Sequence, residues 1–121
     1  MAKIRHIAIC GQDTNALADF YKTTFGMHEV RRQDGQTGLS IFLSDGYLNL
    51  AVLPADANGG REGIYHFGFQ VEDVQETGRV GKEAGAKYQM SPRPRDGRYA
   101  EFRIHDPAGT PIDLAEKGWE V

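Results

Sequence analysis

Two histidines, an asparagine and an aspartate stand at matched places along this chain. Residues 5–13 read RHIAICGQD and residues 65–73 read YHFGFQVED. His6 and His66 each hold the second position of a short apolar alternation that closes on an aspartate, Asp13 or Asp73, and both pairs lie 60 residues apart. The match recurs near the end of each half, where Leu48-Asn49-Leu50-Ala51 faces Ile112-Asp113-Leu114-Ala115 at an offset of 64 residues. Two imidazoles and a carboxylate are a ligand set for an octahedral first-row metal with positions left for substrate and water. A lone histidine on a strand is ordinarily a hydrogen-bonded structural residue. The matched spacing is what makes His6, His66 and Asp113 candidate ligands. Asn49 is the weak fourth member, because a neutral amide oxygen is a poor donor to a transition metal, and it could serve only to hold a water on the ion.

These residues need elements to position them, and the repeat supplies the same set twice. Each histidine segment reads as a strand ending in an aspartate that can N-cap a helix. Leu17, Phe20, Tyr21, Thr24 and Phe25 then fall on one helical face, and Gly26 ends that helix. In the second copy Val74, Thr77, Val80 and Ala84 give a thinner stripe, weakened by Gly78 and Gly81 and ended at Gly85. Strand-like stretches follow over about residues 28–33, 38–44 and 47–53, and again over about 87–91, 98–105 and 110–116. Asp34-Gly35, Asp45-Gly46, Asp96-Gly97 and Asp106-Pro107-Ala108-Gly109 supply turns. The expected fold is α+β: two βαβββ modules, about 3–54 and 64–116, joined by a linker at about 55–63 and packed as one domain over residues 1–121. Neither half is long enough to bury an adequate core alone.

Strand alternation sorts side chains by face. Ile7 and Ile9, Phe67, Phe69 and Val71, Leu48, Leu50 and Val52, Ala100, Phe102 and Ile104, and Ile112 and Leu114 should pack against the helices. The opposite face then collects His6, His66, Tyr47, Asn49, Tyr99, Glu101, Arg103 and Asp113. Buried polar groups without partners are costly, so this set reads as the lining of a cup made by a curved mixed sheet.

Composition narrows the classes. At 121 residues and 40% hydrophobic content the chain matches one ordinary domain. A net charge of −3 with interspersed signs gives no bulk electrostatic basis for nucleic-acid binding. The run Arg93, Arg95, Arg98, Arg103 is a local exception whose first two members read as a solvated loop. The single cysteine, Cys10, excludes an intrachain disulfide and reads as a small buried hydrophobe. No stretch resembles a signal peptide or a bilayer span, so no membrane role and a cytoplasmic location are expected.

The motifs RHIAI, LADFYKTTFGM, YHFGFQVEDV and DPAGTPIDL together resemble the vicinal oxygen chelate superfamily, which includes glyoxalase I, methylmalonyl-CoA epimerase, extradiol dioxygenases and the fosfomycin and bleomycin resistance proteins. The resemblance covers nearly the whole chain. It implies a glyoxalase-like cup around one divalent first-row metal (Fe, Mn, Ni, Co or Zn), with His6, His66 and Asp113 as ligands and Asn49 at the fourth position. It also implies a small-molecule substrate with vicinal oxygens and, as in many members, a homodimer. Departures separate the branches. Glyoxalase I carries a glutamate where this chain has Asn49. Extradiol dioxygenases carry a glutamate ligand where this chain has Asp113, a tyrosine where it has Arg103, and a further histidine that it lacks. Resistance proteins that only sequester a drug usually lack the ligands.

The leading expectation is a metal-dependent lyase or isomerase of glyoxalase type, acting through a metal-stabilised enediolate and proton transfer. Glu101 is the candidate base, although a cross-strand pair with Arg103 would also account for it. Arg103 and Arg98 are candidates to hold a carboxylate or phosphate, with Tyr47, Tyr99 and Phe42 as an apolar wall. Fe(II) dioxygenase chemistry on a catechol-like substrate, and non-catalytic binding of a small molecule or drug, are the alternatives. The apolar C-terminal residues Trp119 and Val121 add to the case for a dimer surface.

Overall fold

The computed structural model describes residues 1–92 and 102–121. Arg93, Arg95, Arg98, Tyr99 and Glu101, and the Asp96-Gly97 turn, lie outside the described residues. The described elements run β1 (Lys3–Gly11), α1 (Thr14–Phe25), β2 (His28–Gly35), β3 (Gly38–Ser44), β4 (Asn49–Pro54), a short 3-10 turn (Ala55–Asn58), β5 (Gly63–Gln70), α2 (Val74–Glu83), β6 (Tyr88–Pro92), β7 (Phe102–His105) and β8 (Pro111–Ala115). The expected α+β class and the doubled βαβββ order are both present. The chain forms two compact units. The first comprises His6–Tyr65 with Glu120–Val121, and the second comprises Met1–Arg5 with His66–Trp119.

In the first unit the strand order is β2-β3-β4-β1, with β4 and β1 parallel and the other pairs antiparallel. Ile9, Ile41, Leu43 and Val52 form its core with Ala18, and Ile7, Leu17, Tyr21 and Leu50 pack at the margin. The strand faces are those the alternation gives. The helix face is so only in part: Leu17 and Tyr21 of the expected stripe pack against the core. Thr14 and Ala18 are its buried residues, whereas Phe20 is 54% and Phe25 is 66% exposed. The small Ala18 lets α1 sit close to the sheet, while Phe20 and Phe25 stay exposed and Phe20 meets Tyr21 edge-on at 5.2 Å.

The second unit repeats the plan as β6-β7-β8-β5, with β8 and β5 parallel. Val71, Val74 and Leu114 form its core, with Phe69, Met90, Phe102, Ile104 and Ile112 around them. Here too the packed face keeps only part of the apolar stripe. Val74 and Gly78 are buried and Val80 is half exposed. A methyl group at Gly78 would collide with the Met90 side chain, so the glycine that weakens the helical pattern is the point of closest approach to β6. Trp119, expected at a dimer surface, is 9% exposed within this chain.

Both helices start as expected. The Asp13 carboxylate accepts the Ala16 N–H at 3.0 Å, and the Asp73 carboxylate accepts the Glu76 N–H at 3.0 Å. Gly26 ends α1 in the left-handed region at φ 70°, and Gly85 follows α2 at φ 103°. Of the turns, Asp106 accepts from the Ala108 and Thr110 N–H groups, each at 2.9 Å, and Asp45 from those of Tyr47 and Leu48, each at 2.8 Å. That second turn displaces Tyr47 from the strand expected at 47–53, since β4 begins at Asn49.

The duplicated caps give a paired test. Asp13→Ala and Asp73→Ala should each lower unfolding free energy by about 1 kcal/mol in urea titrations, the usual cost of losing an N-cap acceptor.

Candidate metal centre

The second unit brings three of the sequence-selected residues into contact. His66 comes from β5, Asp113 from β8 and Arg103 from β7. Arg103 and Asp113 are direct partners across the antiparallel β7/β8 pair, so both side chains rise from the same face. The Arg103 Nε donates to Asp113 Oδ1 at 2.6 Å. The His66 Nε2 lies 3.1 Å from Asp113 Oδ2, and the Arg103 terminal nitrogen lies 3.4 Å from His66 Nδ1. All three are buried, with Arg103 the most exposed at 8%.

The carboxylate is the pivot of this group. Burial by itself raises its pKa, but the hydrogen bonds from His66 and Arg103 outweigh burial and hold Asp113 well below the usual carboxylate range. It is therefore an anion at any ordinary pH. Two donors bound side by side to one octahedral ion at about 2.1 Å stand about 3 Å apart. The His66 Nε2 to Asp113 Oδ2 spacing matches that edge, so the pair fits a first-row ion.

The first unit places His6 and Asn49 side by side as register partners on parallel strands β1 and β4. His6 is fully buried and Asn49 is 1% exposed. The Asn49 Nδ2 donates to the Glu120 carbonyl at 2.9 Å. Its Oδ1 is buried and meets no donor among the described residues, which suits an oxygen that turns toward a cation or a bound water. Ala8, Phe42, Ser44 and Ala51 complete this buried face. The Arg31 guanidinium lies 4.6 Å from the Phe42 ring centroid and 3.6 Å from the Glu120 carboxylate. Tyr47, by contrast, is 77% exposed in its turn.

Arg31 and Glu120 were missed from sequence, and their absence has a cause. Strand β2 shifts register between Glu29 and Arg31. A bulge reverses the alternation beyond it, so the face that Arg31 occupies cannot be counted from His28. Glu120 belongs to a tail without periodicity. The repeat itself is also inexact. His6 pairs with Asn49, but Asp113 pairs with Gly68. By register, then, Asp113 corresponds to Ala51 and not to Asn49, a displacement of two residues. The strand period of two keeps Asp113 on the histidine face, and its carboxylate reaches back along the strands to His66.

The family model for the Glyoxalase/Bleomycin resistance protein/Dioxygenase superfamily matches residues 3–114, and the chain belongs to that superfamily. Similar folds occur in several solved structures. A hypothetical protein from Bacillus halodurans C-125 is 21% identical, with a TM-score of 0.76 and coverage of 99% of this chain and 97% of its own. Methylmalonyl-CoA epimerase from Mycobacterium tuberculosis is 20% identical, with a TM-score of 0.71 over 93% of this chain and 85% of its own. A variant of the Streptomyces coelicolor methylmalonyl-CoA epimerase, in complex with 2-nitronate-propionyl-CoA, is 26% identical, with a TM-score of 0.68 over 93% and 94% of the two chains. No curated protein matches the chain.

The Asp113 contacts predict a pH signature in chelator-treated protein. Asp113→Asn should cost about 3 kcal/mol at neutral pH, because it removes the buried anion that accepts from the Arg103 Nε. The folded pKa of Asp113 lies below the unfolded value of about 4, so its contribution is complete above that value and fades as pH falls toward the folded one. Denaturant titrations should therefore show the gap between wild type and variant narrowing below about pH 4. A gap independent of pH would contradict the pairing.

Proposed function

We propose that this protein is a metal-dependent isomerase or lyase that moves a proton on a small substrate with two adjacent oxygens. The observation that carries the reading is the buried His66–Asp113 pair at ion-sharing distance, on a chain of this superfamily. His6, His66 and Asp113 would be the ligands, with Asn49 as a weaker oxygen. When bound, a first-row divalent ion would polarise the substrate oxygens and lower the cost of an enediolate. The metal set stays open among Fe, Mn, Ni, Co and Zn, all of which accept imidazole and carboxylate.

The remaining work falls to side chains. Glu101 is the proposed base, taking a proton from the carbon beside the carbonyl and returning it there or to the neighbouring carbon. Arg103 is always protonated, so it can hold an anion but cannot shuttle the proton. Arg98 would assist in holding that anion, and Phe42, Tyr47 and Tyr99 would offer apolar surface. An epimerase is an isomerase, and two of the similar structures named above are epimerases. That supports proton transfer over dioxygen insertion. A homodimer belongs to the proposal, each site then drawing His6 and Asn49 from one chain and His66 and Asp113 from the other.

Protein purified without chelator should hold up to one divalent ion per chain by metal analysis. His6→Ala and His66→Ala should each remove most of it, and changes at His28 or His105 should leave it in place. Glu101→Gln should keep the metal and lose exchange of substrate hydrogen with solvent deuterium. Full occupancy in His66→Ala would refute the ligand set. Oxygen consumption by iron-loaded protein, in step with loss of a catechol and without deuterium exchange, would replace proton transfer by dioxygenase chemistry. Light scattering that finds only monomer at micromolar concentration, with full metal, would exclude a site shared across chains.

A further inference from the structure

The first unit carries a hollow beside α1, at the end of β1. It encloses about 640 Å³, the size of a small-molecule site. Buried Ile9, Cys10 and Gly11 line it from the strand, Leu17, Phe20 and Tyr21 from the helix, and the segment Glu62-Gly63-Ile64 from the other side. All of these residues belong to the first unit. The two walls meet over Gly11. A methyl group there would lie 2.8 Å from Leu17 Cδ2 and 3.8 Å from Glu62 Oε2. The missing side chain thus lets the Glu62 carboxylate lean across the strand toward the helix, where it accepts the Gln12 N–H at 3.1 Å.

The chemistry of the lining is one-sided. Phe20 and Ile64 are exposed apolar side chains, and Phe20 stands edge-on to Tyr21, so an aromatic face and an aliphatic surface are open to a ligand. Among the described residues, the charged members of the lining are Asp13 and Glu62, and both are acids. A backbone N–H steadies each of them, that of Ala16 at Asp13 Oδ1 and that of Gln12 at Glu62 Oε2. Asp13 Oδ2 and Glu62 Oε1 meet no donor among the described residues. The start of α1 opposes a cation with about half an elementary charge, which is less than the two carboxylates supply. A neutral ligand would gain only the apolar contact, and an anion would be repelled. An ammonium group can take a charge-assisted hydrogen bond from each carboxylate and lie against an aromatic face.

We propose that this hollow is a second binding site, for a small organic ammonium ion whose nitrogen is held by Asp13 and Glu62 and whose apolar body lies against Leu17, Phe20 and Ile64. It uses none of the proposed metal ligands and stands or falls without them. Ile9 belongs to the core on the helix side of β1, whereas strand alternation sends His6 to the other side, so the two sites open on opposite faces of that strand.

The test titrates phenethylamine, which is a cation at neutral pH, and phenethyl alcohol, which has the same skeleton without the charge. Binding is read from the methyl resonances of Ala16, Leu17 and Ile64. The amine should shift them saturably, and the alcohol should bind roughly tenfold more weakly. Added salt should weaken the amine and leave the alcohol alone. Glu62→Gln should weaken the amine roughly tenfold without changing the alcohol. Asp13→Asn, which still caps α1, should do the same. Glu83→Gln removes an exposed carboxylate elsewhere, on α2, and should match wild type. The comparison of amine with alcohol in wild type needs no variant to fold. Equal affinity for the two compounds, unchanged amine affinity in folded Glu62→Gln, or no saturable shift at these methyls would overturn the proposal. Shifts of the same methyls that grow with protein concentration and block the amine would also overturn it, and would assign the hollow to a second copy of the chain.

Discussion

Asp113 is a carboxylate removed from water and held between an arginine and a histidine, and the second unit is arranged so that this can happen. A buried charge survives only when paired and hydrogen-bonded. Strand β7 supplies the pair by placing Arg103 directly across from Asp113, and β5 supplies the second donor through His66. The same constraint explains the acidity of Asp113. His66 and Arg103 do more for the anion than burial does against it. A group held in this way is anionic, oriented and poorly solvated, which are the properties a metal ligand needs.

The supporting structure serves that placement. In the second unit Phe69, Ile104, Ile112 and Leu114 anchor β5, β7 and β8 from the helix side, so the polar side chains rise from the other side of the same strands. Helix α2 approaches β6 closely because Gly78 has no side chain to collide with Met90. The first unit solves the corresponding problem with Ala18, fully buried between α1 and the sheet. Small residues at these two helix–sheet contacts leave the larger apolar side chains free to fill the core around them.

Much of this was legible in the chain itself, because duplication and strand alternation are strong signals. The paired His and Asp segments located both strand-to-helix junctions, and the caps at Asp13 and Asp73 lie where the pattern puts them. The period of two placed Arg103 and Asp113 on one face. The helix faces were legible only in part: Leu17, Tyr21 and Val74 pack as the stripes place them, but hydrophobicity also marked Phe20, Phe25 and Val80, while packing selected the smaller Ala18 and Gly78. The bulge before Arg31 and the two-residue displacement of Asp113 relative to Asn49 are pairing events between strands that leave no trace in the periodicity of either one.

The central proposal is that His66 and Asp113 are ligands to a divalent ion, with His6 as a further ligand, and that His28 and His105 take no part in binding it. The most direct measurement is imidazole ¹⁵N magnetic resonance of the four histidines during titration with Zn²⁺. The account predicts that His6 and His66 shift together, saturate at one ion per chain, and leave His28 and His105 unmoved. Shifts confined to His28 or His105, or saturation without any change at His66, would contradict it.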